Sequence, residues 1–167
     1  MTDAVMKFLE AFVSSPDIVK ALITFILSCL PIIELRGAIP AGVILGLPVL
    51  TSAAISVAGN ILPVPFIILF MRQILAWMRC RSARMERIAV ALEKKASAKG
   101  GTLYKGTVLG LLIFVAIPLP GTGAWTGALI AAVLNIRMRA AFPAISAGVV
   151  IAGALISGLT YGFKSLF

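Results

Sequence analysis

The chain has 167 residues, 60% of them hydrophobic and 13% charged, with a mean hydropathy of +1.09. Ordinary soluble domains carry roughly 25% charged residues, so half that share makes lipid the main solvent of a single domain. The net charge of +9 does not mark a nucleic-acid partner: nine of the 15 basic residues fall between Met71 and Thr107 against two acids, a local net of +7.

Residues 1–15 set Val5, Met6, Phe8, Leu9, Phe12 and Val13 at helical spacing, with Asp3 and Glu10 and no basic n-region. That predicts an interfacial amphipathic helix rather than a signal peptide. A first repeat is expected over 16–71. Ser15-Pro16-Asp17 reads as its start, with a cap, proline at the first helical position and an acid in the first turn. Ile18–Leu30 is apolar for 13 residues, or roughly 20 Å of helix. A hydrocarbon core needs about 20 residues.

Pro31 then interrupts the run, in the stretch PIIELRGAIP. Ala38–Leu47 is a second short apolar arm. Two short arms around a polar break predict a re-entrant hairpin, whose irregular backbone is tolerated at membrane depth where protein or water surrounds it. One long kinked helix is the competing reading. Val49–Phe70 is long enough to span, and Asn60, Pro63 and Pro65 predict a bend in its second half. Residues 72–102 form the basic segment. Lying beside apolar spans, it carries the positive-inside signature of a cytoplasmic loop.

The second repeat is expected over 103–167. Gly106–Ile117 is a short arm, PLPGTGAWTG a break with Pro118 and Pro120, Ala128–Leu134 a second arm, and Ala140–Phe163 a full span. Gly37-Ala38-Ile39 lines up with Gly123-Ala124-Trp125, and Ala54-Ile55-Ser56 with Ala144-Ile145-Ser146. With the basic segment inside, the first hairpin opens outward and the second inward, which leaves Arg137 and Arg139 cytoplasmic and both termini external. The fold expected is an all-α integral membrane protein of the plasma (inner) membrane. It has two inverted repeats, each a re-entrant hairpin followed by a transmembrane helix.

Glu34 and Arg36 are the residues such a stretch has to justify. An ionised side chain at membrane depth costs about 2.5–3.5 kcal/mol or more, and such groups pair or line a pathway. Either the two neutralise one another and hold the hairpin tip, or Arg36 receives a phosphate or carboxylate while Glu34 exchanges a proton. Pro31 and Pro40 flank them as breakers. In the second break, Gly121, Gly123, Thr122 and Thr126 offer backbone groups and hydroxyls, and Trp125 either packs or faces substrate. Asn60 hydrogen-bonds a break or faces the pathway. The carbonyls freed by Pro63 and Pro65, near Gly59 and Asn60, offer oxygen to a cation. There is no histidine, which excludes His-based metal sites and imidazole relays. Cys29 and Cys80 lie far apart and imply no disulfide framework. No cofactor or metal is expected, and no nucleophile–base pair suggests an enzyme.

With ELRGAIP in the first half and PLPGTGAWTG in the second, the chain resembles the small multi-drug export protein family. That family is itself similar to the DedA-like, or VTT-domain, membrane proteins. The resemblance covers residues 17–163. It implies paired re-entrant hairpins in inverted repeat and a transport role, lipid or lipid-phosphate translocation being known among DedA-like relatives. Glu34, Arg36, Gly37 and Pro40 match the first motif; Pro118, Pro120, Gly121, Gly123 and Gly127 match the second. DedA-like proteins carry arginine in the second hairpin, and this chain does not.

Three functions compete. The first is a proton-coupled transporter or lipid-carrier (polyprenyl-phosphate-like) translocase, with its site between two hairpin tips and membrane lipids and a homodimer as partners. The second is a small-molecule or multidrug cation exporter. The third is a membrane scaffold whose basic segment binds anionic lipid or a cytoplasmic partner.

Overall fold

Proline placement divides the apolar sequence into helices. The computed structural model describes residues 16–81, 87, 90, 91, 94, 108–119 and 121–166. The expected interfacial helix over 1–15, most of the basic segment and Pro120 lie outside them. Among the described residues every element is helical: α1 (Asp17–Cys29), α2 (Glu34–Ile44), α3 (Val49–Ile61), α4 (Pro63–Arg81), α5 (Val108–Ala116), α6 (Ala124–Val133) and α7 (Met138–Leu166). Val49–Ile74 and Met138–Gly162, 26 and 25 residues, are long and apolar enough to cross a bilayer. The four arms, α1, α2, α5 and α6, have 13, 11, 9 and 10 residues.

The helices fall into two compact units. The first takes in Met1–Asn60 and Gly153–Phe167, the second Ile61–Ala152. In the first, α1 packs on α2. Their junction follows from Pro31: Leu30, directly before it, is extended at φ −78° and ψ 137°, as a residue preceding proline prefers. Pro16 occupies the cap of α1 and makes no side-chain cap bond, so the proline stands one position earlier than the sequence predicts. In the second unit, α6 packs on α5 and on α4. Leu62 separates α3 from α4 just before Pro63, so the helix is interrupted within the stretch where the sequence predicts a bend.

Both second arms end in the same way. Gly46, at φ 97°, closes α2, with Gly46 N–H donating to Val43 O (3.0 Å) and Leu47 N–H to Gly42 O (2.9 Å). Asn135, at φ 55°, closes α6, with Asn135 N–H donating to Ala132 O (3.2 Å) and Ile136 N–H to Ala131 O (3.0 Å). This is the Schellman pattern in each case, and it needs a left-handed residue that glycine or asparagine supplies. Three residues later α3 and α7 begin, at Val49 and Met138.

A second contact also recurs. Gly59 on α3 faces the Phe25 carbonyl and the Ser28 Cβ on α1, while Gly148 on α7 faces the Leu112 carbonyl and the Val115 Cβ on α5. These contacts pair Gly59 with Gly148 and therefore Ser56 with Ile145. The tripeptide alignment of Ser56 with Ser146 is one residue out of that register.

Candidate functional site

On α1 and α3 of the first unit, apolar side chains face outward and polar ones are buried. On α1, Ile18, Leu22 and Ile26 are exposed, Ile18 to 78%, whereas Thr24 and Ser28 are wholly buried. On α3, Leu50 is exposed while Ser52, Ser56 and Asn60 are buried. A water-soluble core would sort these side chains the other way. Apolar flanks around buried hydroxyls fit a protein solvated by lipid, where large exposed apolar surface has its partner.

The buried hydroxyls form a seam. Thr24 Oγ1 donates to Lys20 O (2.8 Å), Ser52 Oγ to Ile39 O on α2 (2.9 Å), and Ser28 Oγ to Ser56 O on α3. Pro63 has no N–H, so it cannot complete the helical bond to Gly59 O. The Cys29 thiol donates to that carbonyl instead, at 3.1 Å. Lys20, whose side chain is 12% exposed, pairs with the exposed Asp17 at 3.4 Å at the start of α1.

Glu34 opens α2 and is 8% exposed. Its φ is 47°, in the left-handed region, where a residue with a Cβ is held at a cost of about 1–3 kcal/mol. Its N–H donates back to Leu30 O at 2.9 Å, closing the turn over Pro31. An acid in the first turn also meets the positive end of its own helix. Arg36, two residues on and half-buried, lies within the field of the Glu34 charge. Both therefore sit on the first turn of α2 rather than in a loop ahead of it. Pro40 lies inside α2, not at a break. Gly37 donates its N–H to Ile33 O at 3.1 Å.

The second break is held by one side chain. Thr122 Oγ1 lies 2.7 Å from Ile117 O and 2.8 Å from Leu119 O, and accepts from Leu119 N–H at 3.1 Å. Thr122 N–H donates to Leu119 O at 3.0 Å. Gly121 has φ 80°. Pro118 is half-buried ahead of it, Gly123 is buried and caps α6, and Trp125 and Thr126 are half-buried on its first turn.

A family model described as "Putative small multi-drug export protein" matches residues 34–155. The chain belongs to that family. The matched region begins at Glu34, directly after the first break, and takes in the second. Neither a curated protein nor a solved structure matches the chain. The two long apolar helices and the lipid-type sorting of side chains make this family member an integral membrane protein in contact with membrane lipids.

Within this family member, Pro31, Glu34, Arg36, Gly37, Pro40 and Asn60 belong to the first unit, and Pro118, Gly121, Thr122, Gly123, Trp125 and Thr126 to the second. Of the buried polar residues on α1 and α3, only Asn60 is a candidate from sequence; Thr24, Ser28, Ser52 and Ser56 emerge from the structure. The signal was present: Ser52, Ser56 and Asn60 recur every four residues on an apolar span, and Thr24 and Ser28 do so on α1. Among the described residues, no group of acids, cysteines or histidines is placed to hold a metal ion.

Proposed function

We propose that this protein is a membrane transporter that exports small molecules, with Glu34 as the group that changes charge during the cycle. The observation that carries the reading is Glu34 itself, a buried carboxylate held in a strained backbone conformation beside a half-buried cation. Strain of this kind clusters where a protein switches or binds, and intramembrane acids mark pathways and proton relays. Family membership supports export as the direction of the activity.

In this reading the α1–α2 and α5–α6 hairpins enter the membrane without crossing it, because each arm is too short for a hydrocarbon core of about 20 residues. The basic segment faces the cytoplasm, and the two halves run in opposite senses, as the distribution of lysine and arginine favours. Glu34 takes up a proton from one side and releases it to the other as substrate moves. Arg36 supports a second reading. A half-buried guanidinium in lipid is suited to a phosphate headgroup, which favours a lipid-carrier phosphate as substrate.

Flux from proteoliposomes of folded wild type and Arg36→Ala separates the two. Export of an amphipathic cation that survives Arg36→Ala supports the small-molecule reading. Transfer of a polyprenyl-phosphate analogue that disappears with Arg36→Ala supports the lipid reading. No flux of either from folded wild type counts against transport and favours a scaffold.

A further inference from the structure

The two units make the same helix–helix contact with opposite chemistry. Taking the Gly59 and Gly148 contacts as register, Thr24, Ser28, Ser52, Ser56 and Asn60 stand where the second unit has Leu111, Val115, Ala141, Ile145 and Val149. None of the ten is more than 4% exposed. The contact therefore closes well with apolar side chains alone. Burying a polar group without a partner costs about 1–3 kcal/mol in proteins, so packing gives no reason for any oxygen of the seam that is left unmatched.

Three of its hydroxyls are matched to carbonyls. Two oxygens are not: Ser56 Oγ and Asn60 Oδ1, one helical turn apart on α3, are buried and without a hydrogen-bond partner. Between them in sequence is the Gly59 carbonyl, deprived of a helical donor by Pro63 and met by a thiol, a weak donor. Across from them stands the Ser28 hydroxyl, which donates to Ser56 O and keeps its lone pairs.

We propose that this end of the seam binds a monovalent cation of sodium's size. Ser56 Oγ, Asn60 Oδ1 and Gly59 O are its ligands, and Ser28 Oγ completes the set. Every donor is oxygen, which suits a hard alkali cation rather than a transition metal. Every donor is also neutral. Divalent ions draw on carboxylates to offset their dehydration, so these ligands select a single charge. The site does not depend on the reading of Glu34, since binding is measured without flux.

The test uses the full chain in nanodiscs at constant ionic strength, in sodium, potassium or choline chloride, with binding of radioactive sodium and thermal unfolding read in parallel. Wild type is expected to bind sodium saturably and to unfold a few degrees higher in sodium than in choline. Ser56→Ala and Asn60→Ala each weaken binding about tenfold or more, as loss of a contact to a charged group does. Ser146→Ala is the control: its hydroxyl is also unmatched, but Val150 takes the place one turn on, so sodium binding is retained. Saturable binding undiminished in a folded Ser56→Ala/Asn60→Ala double variant would overturn the assignment. So would folded wild type that neither binds sodium nor gains stability from it.

Discussion

Gly59 lies so close to Phe25 that a Cβ on the glycine would stand 2.7 Å from the Phe25 carbonyl oxygen. Backbone oxygen in a helix cannot move aside as a side chain can. Gly148 repeats the relationship with Leu112 O at 2.8 Å. Gly59→Ala and Gly148→Ala are each expected to lose about 1–3 kcal/mol, the usual cost of overpacking. Gly158→Ala, with nothing within 4 Å of its Cβ position, should shift stability by no more than about 0.5 kcal/mol. Thermal unfolding in detergent compares the three.

Exchanging Ser28 for the residue that the second unit uses at the same contact separates packing from function. Val115 is 1% exposed there, so Ser28→Val is expected to fold and to change stability by no more than about 1 kcal/mol. Flux in proteoliposomes should fall nonetheless, because the hydroxyl facing Ser56 is gone. Unchanged flux would make the Ser28 hydroxyl dispensable.

Glu34 offers a test of stored backbone strain. Glu34→Gly and Glu34→Ala remove the same carboxylate, but only glycine adopts φ 47° without a Cβ penalty. The glycine variant is therefore expected to unfold at a higher temperature than the alanine variant, by about 1 kcal/mol in stability. Equal stability would mean the backbone relaxes freely once the carboxylate is removed.

Thr122 distinguishes a structural hydroxyl from a ligand. Its oxygen holds Ile117, Leu119 and its own loop together. Thr122→Val should lose about 1–2 kcal/mol, roughly one to two hydrogen bonds, and Thr122→Ser should restore it. A Thr122→Val protein of wild-type stability but raised KM for transport would instead place the hydroxyl on the substrate.

The sequence made the helices and their interruptions legible because proline and glycine act locally. Pro31 and Pro63 stop helices through their own ring and missing N–H, and Gly46 ends one through its left-handed backbone, so each boundary needs no tertiary information. Pro40 misled for the same reason. Its local effect suggests a break, yet the structure carries the proline inside α2 without interrupting it. The seam was harder to read. Serine at four-residue spacing looks the same whether it packs, bonds its own helix or lines a site. Only the apolar counterpart in the second unit shows that such a contact closes without polar side chains, and finding that counterpart depends on the Gly59 and Gly148 contacts, one residue away from the tripeptide alignment.

The most direct measurement is substrate efflux from proteoliposomes under an imposed pH gradient, comparing wild type with Glu34→Gln after both are shown folded. Glutamine keeps the shape and burial of the side chain and removes only its titratable charge. Gradient-driven efflux is expected in wild type and is lost in Glu34→Gln, with passive exchange of substrate retained. Efflux that follows the gradient equally well in both proteins would contradict that expectation.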